Sequence, residues 1–324
     1  MQLGTYHHEQ PVILAPMAGV SDAPFREVCL RSGADLAVHE MVSANADLRD
    51  SDKSKQRLKA LSDEQFKWVQ IVGTEPDIIA AGAQYNVEQG ADAIDINMGC
   101  PAKKVCKKAA GSALLADPGL VKAILHETVA AIDKPVTVKI RTGTDPEHRN
   151  ALEIAEIAES VGVQCITIHG RTRADRFKGD AEYDTIRDVK RAVSLPVIAN
   201  GDICSPAKAA EVLRKTRADG LMVGRAAYGN PWIFGQIKAH LNDVPYIAHS
   251  QEQRVDQILW HIARIHEHYG EYLGVRIARK HIGWYLEHLQ LKLAKKQLLS
   301  IESAAEQLSR LTYILTDYAL PEAS

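Results

Sequence analysis

The chain has 324 residues, of which 46% are hydrophobic and 25% charged, and its formal net charge at pH 7 is −2. These values exclude a mainly disordered chain, and a pI near 6.7 excludes a uniformly basic surface for nucleic acid. There is no apolar run of about 20 residues to predict a membrane span, and we expect no secretory signal. Five cysteines without Cys-x-x-Cys spacing argue against a disulfide scaffold or a metal cluster, so we expect a cytoplasmic protein without metal.

Eight short runs rich in β-branched residues alternate with longer stretches of helical spacing. The runs are Ile13–Met17, Leu36–Glu40, Trp68–Gly73, Asp92–Asn97, Pro135–Arg141, Cys165–Gly170, Pro196–Gly201 and Gly220–Gly224. Strict alternation predicts a parallel sheet, and this number of units is typical of a (β/α)8 TIM barrel. A doubly wound sheet is the alternative, but no Gly-x-Gly-x-x-Gly follows the first run.

The composition changes after Pro245, because only helical patterns follow. Three apolar sets, beginning at Val255, Val275 and Ile301, have the spacing of amphipathic helices. Such helices can close a small bundle of their own. We therefore expect a barrel domain over residues 1–243 and a helical domain over residues 244–324.

The last two predicted strands end in glycine-containing segments, Asn200-Gly201-Asp202 and Gly224-Arg225. In a TIM barrel these ends commonly bind phosphate, because backbone N–H groups can approach an anion closely there. Arg225 could add a charged hydrogen bond. The alternative is that the glycines only turn the chain.

Three polar residues stand within or at the ends of predicted strands: Gln70, Lys139 and His169. Burial of Lys139 is costly unless an anion or developing negative charge lies nearby. Its amine could also extend into solvent or form a Schiff base. Gln70 and His169 could be hydrogen-bonded core residues, although Arg171 and Arg173 favour an anion site beside His169.

Cys100 lies at a predicted strand-to-loop junction, between Gly99 and Pro101. A thiol is mostly protonated at neutral pH, so Cys100 could act as a general acid. A nucleophile is the alternative, although no histidine is tied to it in sequence. Lysines follow in the same loop at Lys103, Lys104, Lys107 and Lys108, where they form either a solvated face or a contact to phosphates.

Arg276, Arg279 and Lys280 have the spacing of one helix face, and Trp284 lies one turn beyond Lys280. A basic face with an aromatic side chain could bind RNA phosphates and stack a base. The alternative is ordinary surface charge beside a core tryptophan.

Seven segments of the chain form a set in a fixed order. They are Ala15–Arg26, Ile94–Ser112, Lys139–Gly143, His169–Arg173, Ala199–Ile203, Gly224–Ala226 and Arg276–Tyr285. Together they resemble the motifs of the tRNA-dihydrouridine synthases, and the last resembles the bacterial B type in particular. The resemblance covers essentially the whole chain.

This resemblance implies FMN as cofactor and NADPH or NADH as reductant. The two glycine-containing ends, with Asn200, Gly201, Asp202 and Gly224, would hold the FMN phosphate, assisted by Arg225 and His169. Pro16, Met17 and Ala18 would pack against the isoalloxazine ring. Gln70 would hydrogen-bond its edge, and Lys139 would lie beside the N1–C2 carbonyl region.

The resemblance further implies an oxidoreductase that reduces the C5–C6 double bond of a D-loop uridine in tRNA. Hydride would pass from flavin N5 to C6 while Cys100 protonates C5. Residues implied in substrate or RNA binding are Asn97, Lys103, Lys104, Arg141, Arg171, Arg173, Arg276, Arg279 and Lys280. We expect a monomer without an obligate protein partner.

Two other classes of function remain as alternatives. A flavin dehydrogenase of the dihydropyrimidine or dihydroorotate type would use the same barrel, but it gives no reason for the basic helical tail. A non-catalytic RNA-binding protein would need only the basic patches. Neither explains Cys100, Lys139 and the phosphate site together.

Overall fold

The computed structural model describes residues 1–48, 65–106, 109–291 and 298–317, without the side chains of Lys103 and Lys104. Its strands are a hairpin, β1 (Gln2–Leu3) and β2 (Tyr6–His7), and nine barrel segments. These are β3 (Val12–Leu14), β4 (Leu36–Ala37), β5 (Val42–Ser43), β6 (Trp68–Val72), β7 (Ala93–Met98), β8 (Val136–Arg141), β9 (Cys165–His169), β10 (Val197–Asn200) and β11 (Gly220–Val223). All pairings among the nine segments are parallel, which confirms the predicted TIM barrel.

The barrel closes through an interrupted strand. β4 pairs with β3 and β5 pairs with β6, while an isolated bridge joins Val38 to Trp68. The predicted run Leu36–Glu40 therefore contains only β4 and the Val38 bridge, and β5 begins beyond its end. The buried carboxylate of Glu40 accepts the N–H of Gly19 at 2.5 Å, so it ties this interruption to the loop after β3.

Helices pack around the barrel between successive strands. They are α1 (Ala23–Arg31), α2 (Pro76–Glu88), α3 (Lys103–Cys106), α4 (Pro118–Ala131), α5 (Ala151–Ser160), α6 (Asp184–Ala192), α7 (Pro206–Thr216) and α8 (Ile233–Leu241). The side chains of Asp22, Asp117 and Ser205 accept backbone N–H groups in the first turns of α1, α4 and α7. Aspartate and serine are preferred N-cap residues, because their side chains satisfy N–H groups that have no partner within the helix.

Apolar side chains fill the barrel at its amino end. The cluster includes Ile13, Leu36, Trp68, Cys165, Ile198 and Met222. Leu3, from the β1–β2 hairpin, belongs to the same cluster and is fully buried. The hairpin covers this end, and the polar residues lie at the opposite, carboxyl end of the strands.

The C-terminal region is helical, with α9 (Gln251–His288) and α10 (Ala304–Asp317). Gly270 interrupts α9 with a φ of +73°, a conformation that glycine adopts readily. The two halves of α9 then pack together, with the rings of His261 and His281 5.1 Å apart. Their apolar faces and α10 form a hydrophobic cluster separate from that of the barrel. In the described ranges, no helix combines the length and apolarity needed to cross a bilayer.

Helix α1 provides the main seam between the barrel and this tail. The ring of Phe25 lies 5.4 Å from that of His281, and Tyr269 donates a hydrogen bond of 3.0 Å to the carboxylate of Asp22. On another part of the seam, the rings of Tyr228 and Trp284 stack at 4.1 Å. These contacts fix the tail beside the loop that follows β3.

Candidate active site

The carboxyl ends of neighbouring strands bring the predicted polar residues to one mouth of the barrel. They are Gln70 on β6, Asn97 on β7, Lys139 and Arg141 on β8, His169 on β9 and Asn200 on β10, with Cys100 just after β7. The strand register places Asn97 beside Lys139 and His169 beside Asn200. The order of these strands in the sequence is therefore also the order in which their polar side chains lie around the mouth.

A chain of hydrogen bonds connects the side chains behind Cys100. Gln70 donates to the carboxylate of Asp95 at 2.7 Å and accepts from the Asn97 amide at 2.8 Å. The carbonyl oxygen of Asn97 accepts the backbone N–H of Cys100 at 3.0 Å. The arrangement fixes the loop that carries the thiol, because each amide is held on both sides.

The loop after β7 is packed closely around Cys100. The hydroxyl of Ser112 donates to the Cys100 carbonyl at 2.9 Å. A Cβ on Gly111, whose φ is +63°, would lie 2.7 Å from the same oxygen, so glycine is required there. Burial raises the pKa of the Cys100 thiol, and the thiol therefore stays protonated at neutral pH.

The Lys139 side chain lies half-buried at the mouth. Its amine donates a hydrogen bond of 2.8 Å to Oδ1 of Asn200. Burial, together with the charge of Arg141, lowers the pKa of Lys139 to about 8. Asn200 uses its amide N–H to bind the carbonyl of Met222 at 2.7 Å, which fixes its oxygen toward the lysine.

His169 lies near the positive charges of Lys139 and Arg141. Burial, followed by the charges of Lys139 and Arg141, lowers its pKa well below the ordinary range. The imidazole is therefore neutral at pH 7, so it can act as a hydrogen-bonding group but not as a cation. Gly201 allows this close packing, since a Cβ there would lie 2.9 Å from the His169 ring.

The loops after β10 and β11 leave backbone donors available at the mouth. In the described part of the chain, the N–H groups of Asp202, Ile203, Arg225 and Ala226 donate to no protein acceptor. Next to them, a Cβ built on Gly224 would lie 3.6 Å from the Met17 sulfur, so the loop after β3 adjoins this site. Unpaired N–H groups of this kind suit an anion. The three residues predicted to pack against the isoalloxazine ring belong to this loop after β3. Pro16 and Met17 are half-buried, and Ala18 is exposed.

An ion pair between the buried Arg171 and the half-buried Asp202 shapes this site. Arg171 is 2% exposed, and its guanidinium donates to both carboxylate oxygens of Asp202, at 3.0 and 2.5 Å. Arg225, at the surface, binds the same carboxylate at 3.0 Å. Although burial acts to raise the pKa of Asp202, hydrogen bonds from Arg171 and the Ala181 N–H bring it below its ordinary value.

Some of the residues that are predicted to bind substrate or RNA are buried in the barrel and not exposed at its surface. Arg171, which is predicted to bind substrate or RNA, is buried and pairs with Asp202. Arg141 is also buried and donates to the backbone carbonyls of Gly99 and Thr172, each at 2.8 Å. Arg173 is half-buried. The side chains of Lys103 and Lys104, and residues 107–108, lie outside the described part of the structure.

The basic residues of the tail separate into different environments. Arg276 is exposed, with its guanidinium 4.1 Å from the centre of the Tyr272 ring. Arg279 instead donates to the Ile301 carbonyl at 2.9 Å, and Lys280 donates to the carbonyl of Gly19 in the barrel. Trp284 stacks on Tyr228, so one face of its ring is already covered. Of these three cations, Arg276 is exposed and the other two are half-buried.

Sequence reasoning missed the parts that support the site. Asp95 is not among the residues predicted from the sequence, although an acidic residue between apolar strand positions is a usable signal. Thr137, which donates to Asp95 at 2.6 Å, gives no such signal because threonine is common in strands. The pairing of Arg171 with Asp202 spans two loops that only the folded barrel brings together.

The site is therefore that of a (β/α)8-barrel protein with a thiol, an amine and an anion-binding loop at its mouth. The chain belongs to the dihydrouridine synthase (Dus) family, whose model matches residues 13–319. It is 52% identical over 316 residues to tRNA-dihydrouridine synthase B of Shewanella oneidensis, covering 97% of this chain and 98% of that protein. The Escherichia coli K12 protein of the same name is 50% identical over 321 residues, covering 98% and 100%. These relatives confirm the family and the bacterial B type that the motifs resemble.

Solved structures with similar folds are much more distant in sequence. Histamine dehydrogenase from Rhizobium sp. 4-9 aligns with a TM-score of 0.57 at 13% identity, over 81% of this chain and 50% of that one. The old yellow enzyme homologue from Zymomonas mobilis gives 0.53 at 14% identity, over 78% and 94%. At these identities the similarity supports the barrel fold alone.

The ion pair at the anion site predicts a difference between two substitutions. Asp202→Asn removes the counter-ion of the buried Arg171, so we expect the free energy of unfolding to fall by about 3 kcal/mol. Arg225→Met removes only the exposed partner of the same carboxylate, and the expected change is below about 1 kcal/mol. Urea unfolding of both variants measures the difference. Equal losses would show that the pairing of Arg171 with Asp202 stabilises the fold no more than the exposed contact of Arg225 does.

Proposed function

We propose that this protein is an FMN-dependent tRNA-dihydrouridine synthase that reduces the C5–C6 double bond of a D-loop uridine, with NADPH or NADH as reductant. Membership of the family supports the reaction, and the names of the relatives support tRNA as substrate. The observation that carries the proposal is that a protonated thiol, Cys100, and a half-buried amine, Lys139, lie at the same mouth. The reaction needs a proton donor and a group that tolerates developing negative charge.

The residues at the mouth fit FMN. The unpaired N–H groups of Asp202, Ile203, Arg225 and Ala226 suit its phosphate, and the Arg225 side chain adds positive charge. Gln70 and Lys139 would bind the polar edge of the ring, while Pro16, Met17 and Ala18 would pack against its face. FMN, when bound, supplies hydride transfer to carbon, which amino-acid side chains do not provide.

Cys100 would supply the proton at C5 of the uracil. Burial raises its pKa, so Sγ holds its proton at the pH of the reaction. Asn97 and Ser112 fix the backbone of its loop on two sides, and this restricts where the thiol can lie. Asn97 would also present its amide to the base edge. The uracil must leave its stack to reach this mouth, which is least costly in an already unpaired loop.

The helical tail would bind tRNA beside the mouth. We propose residues 1–243 as the FMN-binding domain and residues 244–324 as the tRNA-binding domain of a monomer. Tyr269 and Lys280 connect the tail to the loop after β3, so bound RNA would lie next to the flavin site. Arg276, which is exposed, is the tail residue best placed for phosphate contact, with Arg173, Lys103 and Lys104 as proposed contacts on the barrel.

Nucleotide-resolved mass spectrometry of tRNA lacking dihydrouridine tests the reaction. With protein and NADPH, we expect a gain of two hydrogens at one D-loop uridine. Cys100→Ala should keep FMN bound but lower turnover by about 10²–10⁴-fold, the usual contribution of a general acid. Cys106→Ala, six residues further on, is the matched control and should stay close to wild type.

Two results would contradict this account. If Cys100→Ala turned over at the rate of Cys106→Ala, Cys100 would have no role in proton transfer. If flavin were bound and NADPH consumed without any change in tRNA, the substrate would be different. Reduction of free uridine would then favour a small-molecule dehydrogenase.

The exposed position of Arg276 predicts an effect on RNA binding that depends on salt. Arg276→Met should weaken tRNA binding and reduce the slope of log Kd against log salt by about one unit, because one phosphate contact is lost. Arg191→Met, at the exposed end of α6, is the charge-matched control. Filter binding at several salt concentrations measures both slopes, and an unchanged slope for Arg276→Met would place the contact elsewhere.

A further inference from the structure

A polar chain runs through the barrel interior behind the active-site mouth. The Trp68 indole donates to the Thr137 hydroxyl at 3.0 Å, and Thr137 donates to Oδ1 of Asp95 at 2.6 Å. From Oδ2 of Asp95 the chain continues through Gln70 and Asn97 to the backbone N–H of Cys100. Asp95 lies at the centre, is 2% exposed and receives a hydrogen bond on each oxygen.

The chemistry of Asp95 sets the direction of every hydrogen bond toward Cys100. Burial raises the pKa of Asp95 to about 6, so above that pH it is mostly a carboxylate and only accepts. Gln70 must then turn its NH2 group to Asp95 and its oxygen to Asn97. Asn97 in turn must direct its NH2 group to Gln70, which leaves its oxygen for the N–H of Cys100.

We propose that Asp95 is a positioning residue, which orients the Gln70 and Asn97 amides and thereby holds the Cys100 loop in place. Without an acceptor at position 95, either amide could rotate by 180°. A rotated Asn97 would present NH2 to the N–H groups of Gly99 and Cys100, and the loop would lose its acceptor. This inference deepens the function proposed above, because it concerns the group assigned there as proton donor.

Three substitutions separate this role from simple packing. Asp95→Leu keeps the branched side chain of four heavy atoms but removes both acceptors. Asp95→Asn keeps an acceptor for Gln70, because the Thr137 hydroxyl can rotate to accept from the new NH2 group. Thr137→Val removes a hydrogen bond to Asp95 on the side away from Gln70, so it leaves the Gln70 contact intact.

Alkylation of Cys100 by iodoacetamide in the purified full-length protein, without tRNA or reductant, reports how firmly the loop is held. Trypsin cleavage after Lys103 and Lys104 separates Cys100 from Cys106, so mass spectrometry follows each thiol alone. Asp95→Leu should accelerate alkylation of Cys100 by about fivefold, equivalent to one lost hydrogen bond. Asp95→Asn and Thr137→Val should stay within about twofold of wild type on the same scale.

A wild-type rate in Asp95→Leu would overturn the proposal, as would equal acceleration in Thr137→Val or Asp95→Asn. If Asp95→Leu does not fold, Gln70→Met is the alternative test. It breaks the same chain of hydrogen bonds while Asp95 remains. Gln70→Met should accelerate alkylation as well, and an unchanged rate would overturn the proposal. Because alkylation does not depend on uridine reduction, failure of the proposed function would leave this result intact.

Discussion

The hydrogen bond between the Lys139 amine and Oδ1 of Asn200 is the contact around which the mouth of the barrel is organised. It joins β8 to β10 at 2.8 Å and places an ionisable amine among buried side chains. The position is costly, and burial lowers the pKa of Lys139 to about 8. Asn200 supplies only a neutral oxygen, so the amine keeps capacity to bind an electron-rich ligand.

The basic groups around Lys139 are either uncharged or held by partners within the protein. His169 is neutral because burial and the surrounding cations lower its pKa. Arg171 is neutralised by Asp202, and Arg141 is held by backbone carbonyls. The unpaired N–H groups of the loops after β10 and β11 suit an anion.

The barrel could be predicted from the sequence because each strand is a short β-branched run and helices α1, α4 and α7 begin at recognisable caps. Cys100 and Lys139 were predictable because a thiol at a strand end and an amine in an apolar strand are unusual. The interruption at Val38 and the role of Asp95 were not, because both depend on pairings across the sheet, such as Gln70 beside Asp95. Lys280 looks like part of a basic face in sequence, but the fold directs it to Gly19.

The affinity of the purified protein for FMN, measured by fluorescence titration between pH 7 and pH 10, tests most directly whether the Lys139 amine binds the polar edge of the flavin ring. Its pKa of about 8 in the free protein means that the amine loses its proton as the pH rises through this value. We predict that FMN affinity falls above about pH 8, and that Lys139→Met binds more weakly with this pH dependence removed. An affinity that does not change with pH, or the same decline in Lys139→Met, would contradict the account.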